Sequence, residues 1–596
     1  MAKHRLWEFV SGYENGSDTI LGKSFTQKRI SGRITGNMHR RRDSGAHRLW
    51  SEIVHRISYI SSKAYGAMSL SFGLVTIILS FLEDYGSATG EAATLSFIIG
   101  VGFALLAIPL LLFDEPLSLL LQNARISDFI LFDFLCINRV ARVKNPRSVH
   151  TVLMAVVGVL LALIGYFVPA VWVAVGFFAL VLFVLSLSSP EFGLISTLLS
   201  LPLISLLPFG TAVLTAMVSV TLISFIRKVI SGKRVMVLEQ YDILMLILAG
   251  AVAISGVFNG GIQSFLEATI SVAAFFGYVL AGNMITGRRL ADNALGAVAV
   301  SSFPVFSVSV YQLIYGTVSY GFLPTLDAGV SSVFPDTGVC AVFLTVSILA
   351  ASALAKQAKG SVRAAWCILA VLYSLALLMT GEMFAWLALL LSVSVYFALR
   401  VRVWSALIIP LMALVPYIII LLPVSSLPWI DNTSNAALMS VIHELWRVCG
   451  IVFKNNAFLG VGMGKQSFIA AVGGGVITNA QNLFIEIALE AGAVALIAML
   501  LILAVGLRHR VEYRKYIRHS QVSVSSTVMA CAVFAVITYG AVNYVWSDMS
   551  ACFLFWCVFG ISAATLRIAK TEHDDRVLYY DDIRSYRSSS VDVSLD

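Results

Sequence analysis

Runs of about twenty apolar residues recur along most of the chain, and each is long enough to cross a bilayer core. Hydrocarbon offers the backbone no hydrogen-bond partner, so every such run is expected as a helix. The 596 residues are 58% hydrophobic and only 12% charged, with a mean hydropathy of +0.87. Soluble domains carry roughly 25% charged residues, so a water-soluble enzyme and a disordered scaffold are both excluded. The expected fold is all-α, a polytopic transmembrane helical bundle of about 16 (14–16) spans with one long, partly helical external loop. The spans are placed at 64–82, 93–113, 149–168, 171–187, 191–208, 210–226, 241–257, 264–284, 294–315, 338–355, 363–380, 383–399, 404–423, 483–506, 524–544 and 548–567. Pro169, Pro190 and Pro208 suit tight joints, because proline breaks the helical ladder.

Loop charge orients the bundle. The net charge is +8, from 41 Lys and Arg against 33 Asp and Glu. Basic residues gather at 1–63, 114–148, 227–240, 285–293, 356–363, Arg400 with Arg402, and 507–520. An even number of spans puts all of these on one face, which the positive-inside rule makes cytoplasmic. Span 294–315 is kept on that ground. The expected organisation is a basic cytoplasmic segment at 1–63 without a signal peptide, a membrane domain at 64–567, and a disordered cytoplasmic tail at 568–596. Residues 114–148 mix Phe129, Phe132 and Phe134 with Asp128, Asp133 and Arg139, as amphipathic helices on the inner leaflet would. Five of the seven cysteines lie in or beside apolar runs, and no disulfide framework is legible. No sustained internal repeat is present.

The external loop, 424–482, carries the chemistry. Arg447, Lys454 and Lys465 are its cations and the only ones expected on that face. The loop reads Leu445-Trp446-Arg447, then Gly460-Val461-Gly462-Met463-Gly464, then Asn479-Ala480-Gln481-Asn482, and runs on to Glu486, Glu490 and Gly492. Alternate glycines permit close approach of backbone to backbone or to a ligand, and a plain turn at the membrane surface is the simpler account. Lys465 follows that turn directly, where exposed amides could help hold an anion. Asn482, Glu486 and Glu490 share one helix face, with Glu490 roughly 12 Å along the axis from Asn482. An acid in a membrane helix should face protein or water rather than lipid.

This string resembles the signature region of the bacterial O-antigen ligase and polysaccharide polymerase superfamily. Its elements there are a tryptophan-containing amphipathic stretch, a GxGxG-like turn, and His-Asn followed, after about nine intervening residues, by a glycine that opens a membrane helix. Ser189-Pro190-Glu191-Phe192-Gly193-Leu194, Ser332-Val333-Phe334-Pro335-Asp336 and Thr380-Gly381-Glu382-Met383-Phe384-Ala385-Trp386 resemble three further family segments. The departures fall on chemical residues. Gln481 stands at the histidine, Glu382 and Met383 at a serine and an arginine, and Ile442 at another arginine. An amide cannot exchange protons near neutral pH, and neither methionine nor isoleucine can grip pyrophosphate.

The resemblance implies transfer or polymerisation of glycan from an undecaprenyl-pyrophosphate donor at the outer face of a bacterial cytoplasmic membrane; loop charge places both termini in the cytoplasm. It gives Gln481, Asn482, Glu490 and the nearby His443 as catalytic candidates. Arg447, Lys465, Lys454, Trp446, Gly460, Gly462, Gly464 and Glu382 are the substrate-binding candidates. The structural alternatives are a solvated interfacial histidine for His443, headgroup contacts for Arg447 and Lys465, and packing or a helix-end contact for Glu490 and Glu382. No cofactor or metal is expected. The expected partners are a lipid-linked oligosaccharide, an acceptor glycan, membrane lipid and cell-envelope assembly proteins, with no nucleic acid. Two other functions compete: a noncatalytic member that binds lipid-linked glycan or a partner enzyme, and a transporter. A transporter should carry ionisable groups deep in several spans, and most spans here have none.

Overall fold

The computed structural model describes residues 60–84, 90–137, 151–167, 170–230, 234, 236–237, 239–259, 261–315, 329–400, 432–473 and 478–592. These are 85% helical, with no strand among them. The expected spans at the start of the chain become α1 (Ser62–Asp84), α2 (Gly90–Leu111), α3 (Thr151–Phe167), α4 (Ala170–Ser188), α5 (Pro190–Ser205) and α6 (Gly210–Ile230). They continue as α7 (Gln240–Phe258), α8 (Gly261–Met284), α9 (Arg288–Tyr315), α10 (Thr337–Gln357), α11 (Gly360–Met379) and α12 (Met383–Arg400). The loop expected to be external contributes α13 (Asn432–Asn455) and α14 (Lys465–Val472). The chain closes with α15 (Leu483–Glu512), the short α16 (Arg514–Ile517), α17 (Ser523–Gly540) and α18 (Met549–Asp592).

Eleven of these helices are long and apolar enough to cross a membrane, and α3, α4, α5 and α12 are apolar but shorter. The protein is therefore a multi-pass, all-α membrane bundle. The expected span at 404–423 and the basic segment before residue 60 lie outside the described residues. Residues 117–134 fold as short helical turns, Leu117–Asn123, Arg125–Ser127 and a wider π turn at Asp128–Phe134.

The chain forms two compact units, Met1–Gly193 with Ile223–Arg234, and Leu194–Leu222 with Val235–Asp596. In the first, α1 packs against α2 and α3. With no hydrophobic drive between helices in lipid, hydroxyls serve as ties: Ser69 donates to Phe103 O at 2.7 Å and Ser71 to Ala155 O at 2.8 Å. Pro190 opens α5, a position where its missing N–H costs nothing. The next residue, Glu191, is buried and held by Lys228 at 2.7 Å and Arg234 at 2.5 Å.

In the second unit, α10 and α18 form the centre: 94% and 100% of their apolar stretches are buried, against 17% for α11 at the rim. Trp556 and Phe555 of α18 stack edgewise with ring centroids 5.0 Å apart, and Phe275 of α8 meets Trp556 at 5.3 Å. The rim turns leucine, isoleucine and phenylalanine outward, as a protein solvated by lipid must.

The tail corrects the sequence expectation. Residues beyond 567 were expected to lack structure, yet α18 continues to Asp592. Contacts beyond the apolar stretch explain how it continues. Arg567 pairs with Glu239 at 3.1 Å, and Glu572 accepts from Ser520 Oγ at 2.8 Å and Gln521 N at 3.0 Å. The first polar turns are thereby fixed, and adding further helical residues to an existing helix is far cheaper than nucleating a new one.

Candidate functional site

The loop builds on α13, whose Leu445, Cys449 and Val452 recur at helical spacing. Leu445 and Cys449 are buried with Phe468, Ala480 and Leu489, and Val452 packs against that core. The opposite face leaves His443, Glu444, Arg447 and Lys454 exposed. Trp446 Nε1 donates to Ala480 O at 2.9 Å, tying α13 to the approach to α15. The His443 ring lies 6.3 Å from that of Trp446, centroid to centroid.

The start of α15 is closed by its own motif residues. Asn482 is buried, and its Oδ1 accepts from Phe484 N at 2.9 Å and Ile485 N at 3.1 Å. Its Nδ2 donates to Ala541 O at 2.7 Å. The Glu486 carboxylate reaches back to accept from Ala480 N at 2.5 Å. Amides at a helix start have no partner inside the helix, and Asn482 supplies partners for two of them, while Glu486 holds the approach to the helix. Gln481, between them, holds a left-handed backbone with φ of 51°. Asn482, a catalytic candidate from the sequence, caps the helix through Oδ1 and anchors Ala541 through Nδ2.

Gly492 then interrupts α15, with φ of 79° and ψ of −179°, a conformation essentially confined to glycine. The stretch after it, about 20 residues or ~30 Å, is by itself long enough to span the hydrocarbon. The break leaves the carbonyls of Leu489 and Glu490 without helical partners. Val461 N donates to Leu489 O at 2.7 Å, and Gly462 N at 3.3 Å and Ser255 Oγ at 2.5 Å donate to Glu490 O. A Cβ at Gly460 would lie 2.4 Å from Glu490 O, and one at Gly492 would lie 2.2 Å from Phe458 O. The alternate glycines therefore let an extended segment lie against a broken helix.

The α7–α8 turn clamps the same segment. Asn259 Nδ2 donates to Gly460 O at 3.2 Å, and Met463 N donates to Ser264 Oγ at 2.7 Å. Gly464 N donates to the Glu490 carboxylate at 2.8 Å. The expectation that these amides help hold an anion is corrected here: the amides of Val461, Gly462, Met463 and Gly464 are all taken by the protein's own acceptors.

Glu490 is buried, and its second oxygen accepts from Tyr544 OH at 3.2 Å. Burial, reinforced by the Glu490 carboxylate, pushes the Tyr544 hydroxyl well above its ordinary range, so it stays a donor. Glu490, Glu267, Tyr544, Trp546 and Ser547 are among the walls of a cavity of about 80 Å³, room for several waters. No Lys or Arg lines it.

Glu382 belongs to a second knot. Its oxygens accept from Thr337 Oγ1 at 2.7 Å and Tyr539 OH at 2.9 Å, and Asn543 Nδ2 donates to Tyr539 OH at 2.9 Å. The turn ending at Asp336 and the start of α12, far apart in the chain, meet here. One run, Tyr539 to Tyr544, thus touches Glu382, Asn482 and Glu490. The sequence reading placed this run inside a span at 524–544. Two tyrosines at a span end were the available signal, since tyrosine gathers at the membrane boundary.

The structure does not bring the expected cations to the cavity. Arg447 is exposed and paired with Glu444 at 2.5 Å. That pairing holds the Glu444 carboxyl below its usual range. Lys454 and Lys465 are exposed, and neither they, Arg447, His443 nor Gln481 lines the cavity. Among the described residues no cluster of His, Cys, Asp and Glu could hold a metal ion. No protein-family model and no curated protein matches the chain.

Proposed function

We propose that this protein is an O-antigen ligase or polysaccharide polymerase-like membrane protein. In this role it transfers or polymerises glycan from an undecaprenyl-pyrophosphate donor at the outer face of a bacterial cytoplasmic membrane. The observation that carries this is convergence. Two segments that separately resemble that superfamily, at 380–386 and 479–492, have side chains bonded to one run, Tyr539 to Tyr544, and Thr337, the residue after the third segment at 332–336, bonds Glu382 of the first.

The chemistry follows from the groups present. Carboxylates beside tyrosine and tryptophan suit a sugar, whose hydroxyls donate to the acids while its carbon face lies on the rings. Glu490 accepts the proton of an acceptor hydroxyl as that oxygen bonds to the anomeric carbon. The bond from that carbon to the pyrophosphate oxygen breaks, and the lipid pyrophosphate leaves with the electron pair. Arg447, Lys465 and Lys454 are the cations available to the leaving group.

A noncatalytic glycan-binding protein is the alternative, and one observation favours it: the cavity has acidic walls and the neighbouring amides are already satisfied. Purified protein in liposomes, given undecaprenyl-pyrophosphate oligosaccharide and an acceptor glycan, separates the two. Turnover that falls by about 100-fold or more in Glu490→Gln, with the donor still bound, supports transfer. Saturable binding without turnover supports the alternative, and the absence of both removes the glycan assignment.

A further inference from the structure

Where α15 ends and α17 begins, two cavities adjoin, remote in sequence from the glycine segment. One, about 120 Å³, is walled by Arg510, Arg514, Arg518, Ser523 and Thr527, with Leu399 and Ile517. The other, about 320 Å³, is almost wholly apolar; Leu503, Leu507, Phe534, Ile537 and Phe559 are among its walls. Leu399 and Arg510 belong to both, so the polar and apolar spaces share a wall. Neither has an Asp or Glu in its lining.

Arg510 makes the arrangement unusual. Its side chain is buried, only 5% exposed, and Nη1 donates to Ser526 Oγ at 2.6 Å. Nε and Nη2 are also buried and have no hydrogen-bond partner. A buried guanidinium with donors unmet costs several kcal/mol unless an acceptor supplies the missing bonds. Arg514 and Arg518 follow at four-residue steps, and α17 starts at Ser523 without a side-chain cap, so its amide end adds positive potential. The three guanidinium groups and the helix end call for an anion with several acceptor oxygens, and phosphate fits. The apolar space on the other side of Arg510 calls for hydrocarbon.

We propose that this paired cavity binds one anionic phospholipid, its phosphate held by Arg510, Arg514 and Arg518 and an acyl chain lying along Leu503, Leu507 and Phe534. Basic pockets between transmembrane helices beside apolar grooves take lipids in this way. The site is independent of the glycine segment and of the reaction proposed there, so it stands or falls by its own experiment.

Full-length protein in mild detergent is delipidated and incubated with phosphatidylglycerol, phosphatidylcholine or glycerol phosphate. Bound lipid is then counted by native mass spectrometry. One phosphatidylglycerol should be retained in preference to phosphatidylcholine. Arg514→Gln with Arg518→Gln, both outside the tightly packed core, should lower its occupancy by about fivefold for each charge lost. Ala530→Phe, which fills the apolar space and leaves the arginines in place, should lower it as well. Both variants should melt within a few degrees of the unaltered protein. Equal retention of phosphatidylcholine, or wild-type retention in both variants, would overturn the proposal. Competition by glycerol phosphate as strong as that of the lipid would show a free-phosphate site and also overturn it.

Discussion

Single residues at the start of α15 do work that their chemistry alone does not reveal. Asn482 and Glu486 read as functional polar groups in a membrane chain, yet Asn482 satisfies amides that the helix start exposes and Glu486 satisfies the amide of Ala480 in the approach to the helix. An asparagine caps helices readily, but which amides it served here depended on where the chain turned. Glu490 is different, because its carboxylate meets both a backbone amide and the Tyr544 hydroxyl at the edge of a cavity. Its position depends on the break at Gly492. Gly492→Ala would force φ of 79° on a residue with a Cβ and drive that atom to 2.2 Å from Phe458 O. The expected cost is about 3 kcal/mol or more, read as a lower unfolding midpoint in detergent, whereas Gly250→Ala, which meets nothing within 4 Å, should stabilise slightly or have no effect.

Helices were the most legible level of the sequence. Apolar runs fixed α1 to α12, α15, α17 and α18, because twenty consecutive apolar residues have few other stable fates. Two features were hidden for physical reasons. The Tyr539 to Tyr544 run sits against an apolar span, so its polar residues were absorbed into the membrane count. The helical tail depends on tertiary pairs that composition cannot show. One of those pairs yields a test. Burial holds the Glu239 carboxyl above its usual range, while Arg567 pulls it down. An acid with a raised folded-state pKa destabilises the fold as pH rises through that value, because the charged form is the one disfavoured. Arg567→Ala removes the compensating charge. It should cost about 2 kcal/mol near neutral pH and clearly less at about pH 4, where Glu239 is protonated. A penalty independent of pH, measured by denaturant unfolding, would mean the pair is not what holds this end of α18.

At the scale of the molecule, two cavities of the second unit are lined by opposite charge. The cavity beside the glycine segment is lined by Glu267 and Glu490 and has no basic wall, whereas the cavity shared by α15 and α17 has three arginines and no acid. The sequence drew attention to Arg447, Lys454 and Lys465 because they were scarce on the face assigned as external. The fold leaves all three exposed and none of them in the cavity wall. A lipid-linked donor that uses both the acids and these cations must therefore extend from the cavity to the loop surface. Photocrosslinking tests that arrangement most directly. A photoreactive side chain is placed at Trp546, in the cavity wall, or at Leu246, which is 74% exposed on the rim of α7. Each protein is then given undecaprenyl-pyrophosphate oligosaccharide labelled in the sugar. Label should be captured from position 546, competed by unlabelled donor, and not captured from position 246. Equal capture from both positions, or none from 546, would contradict a glycan seat beside Glu490.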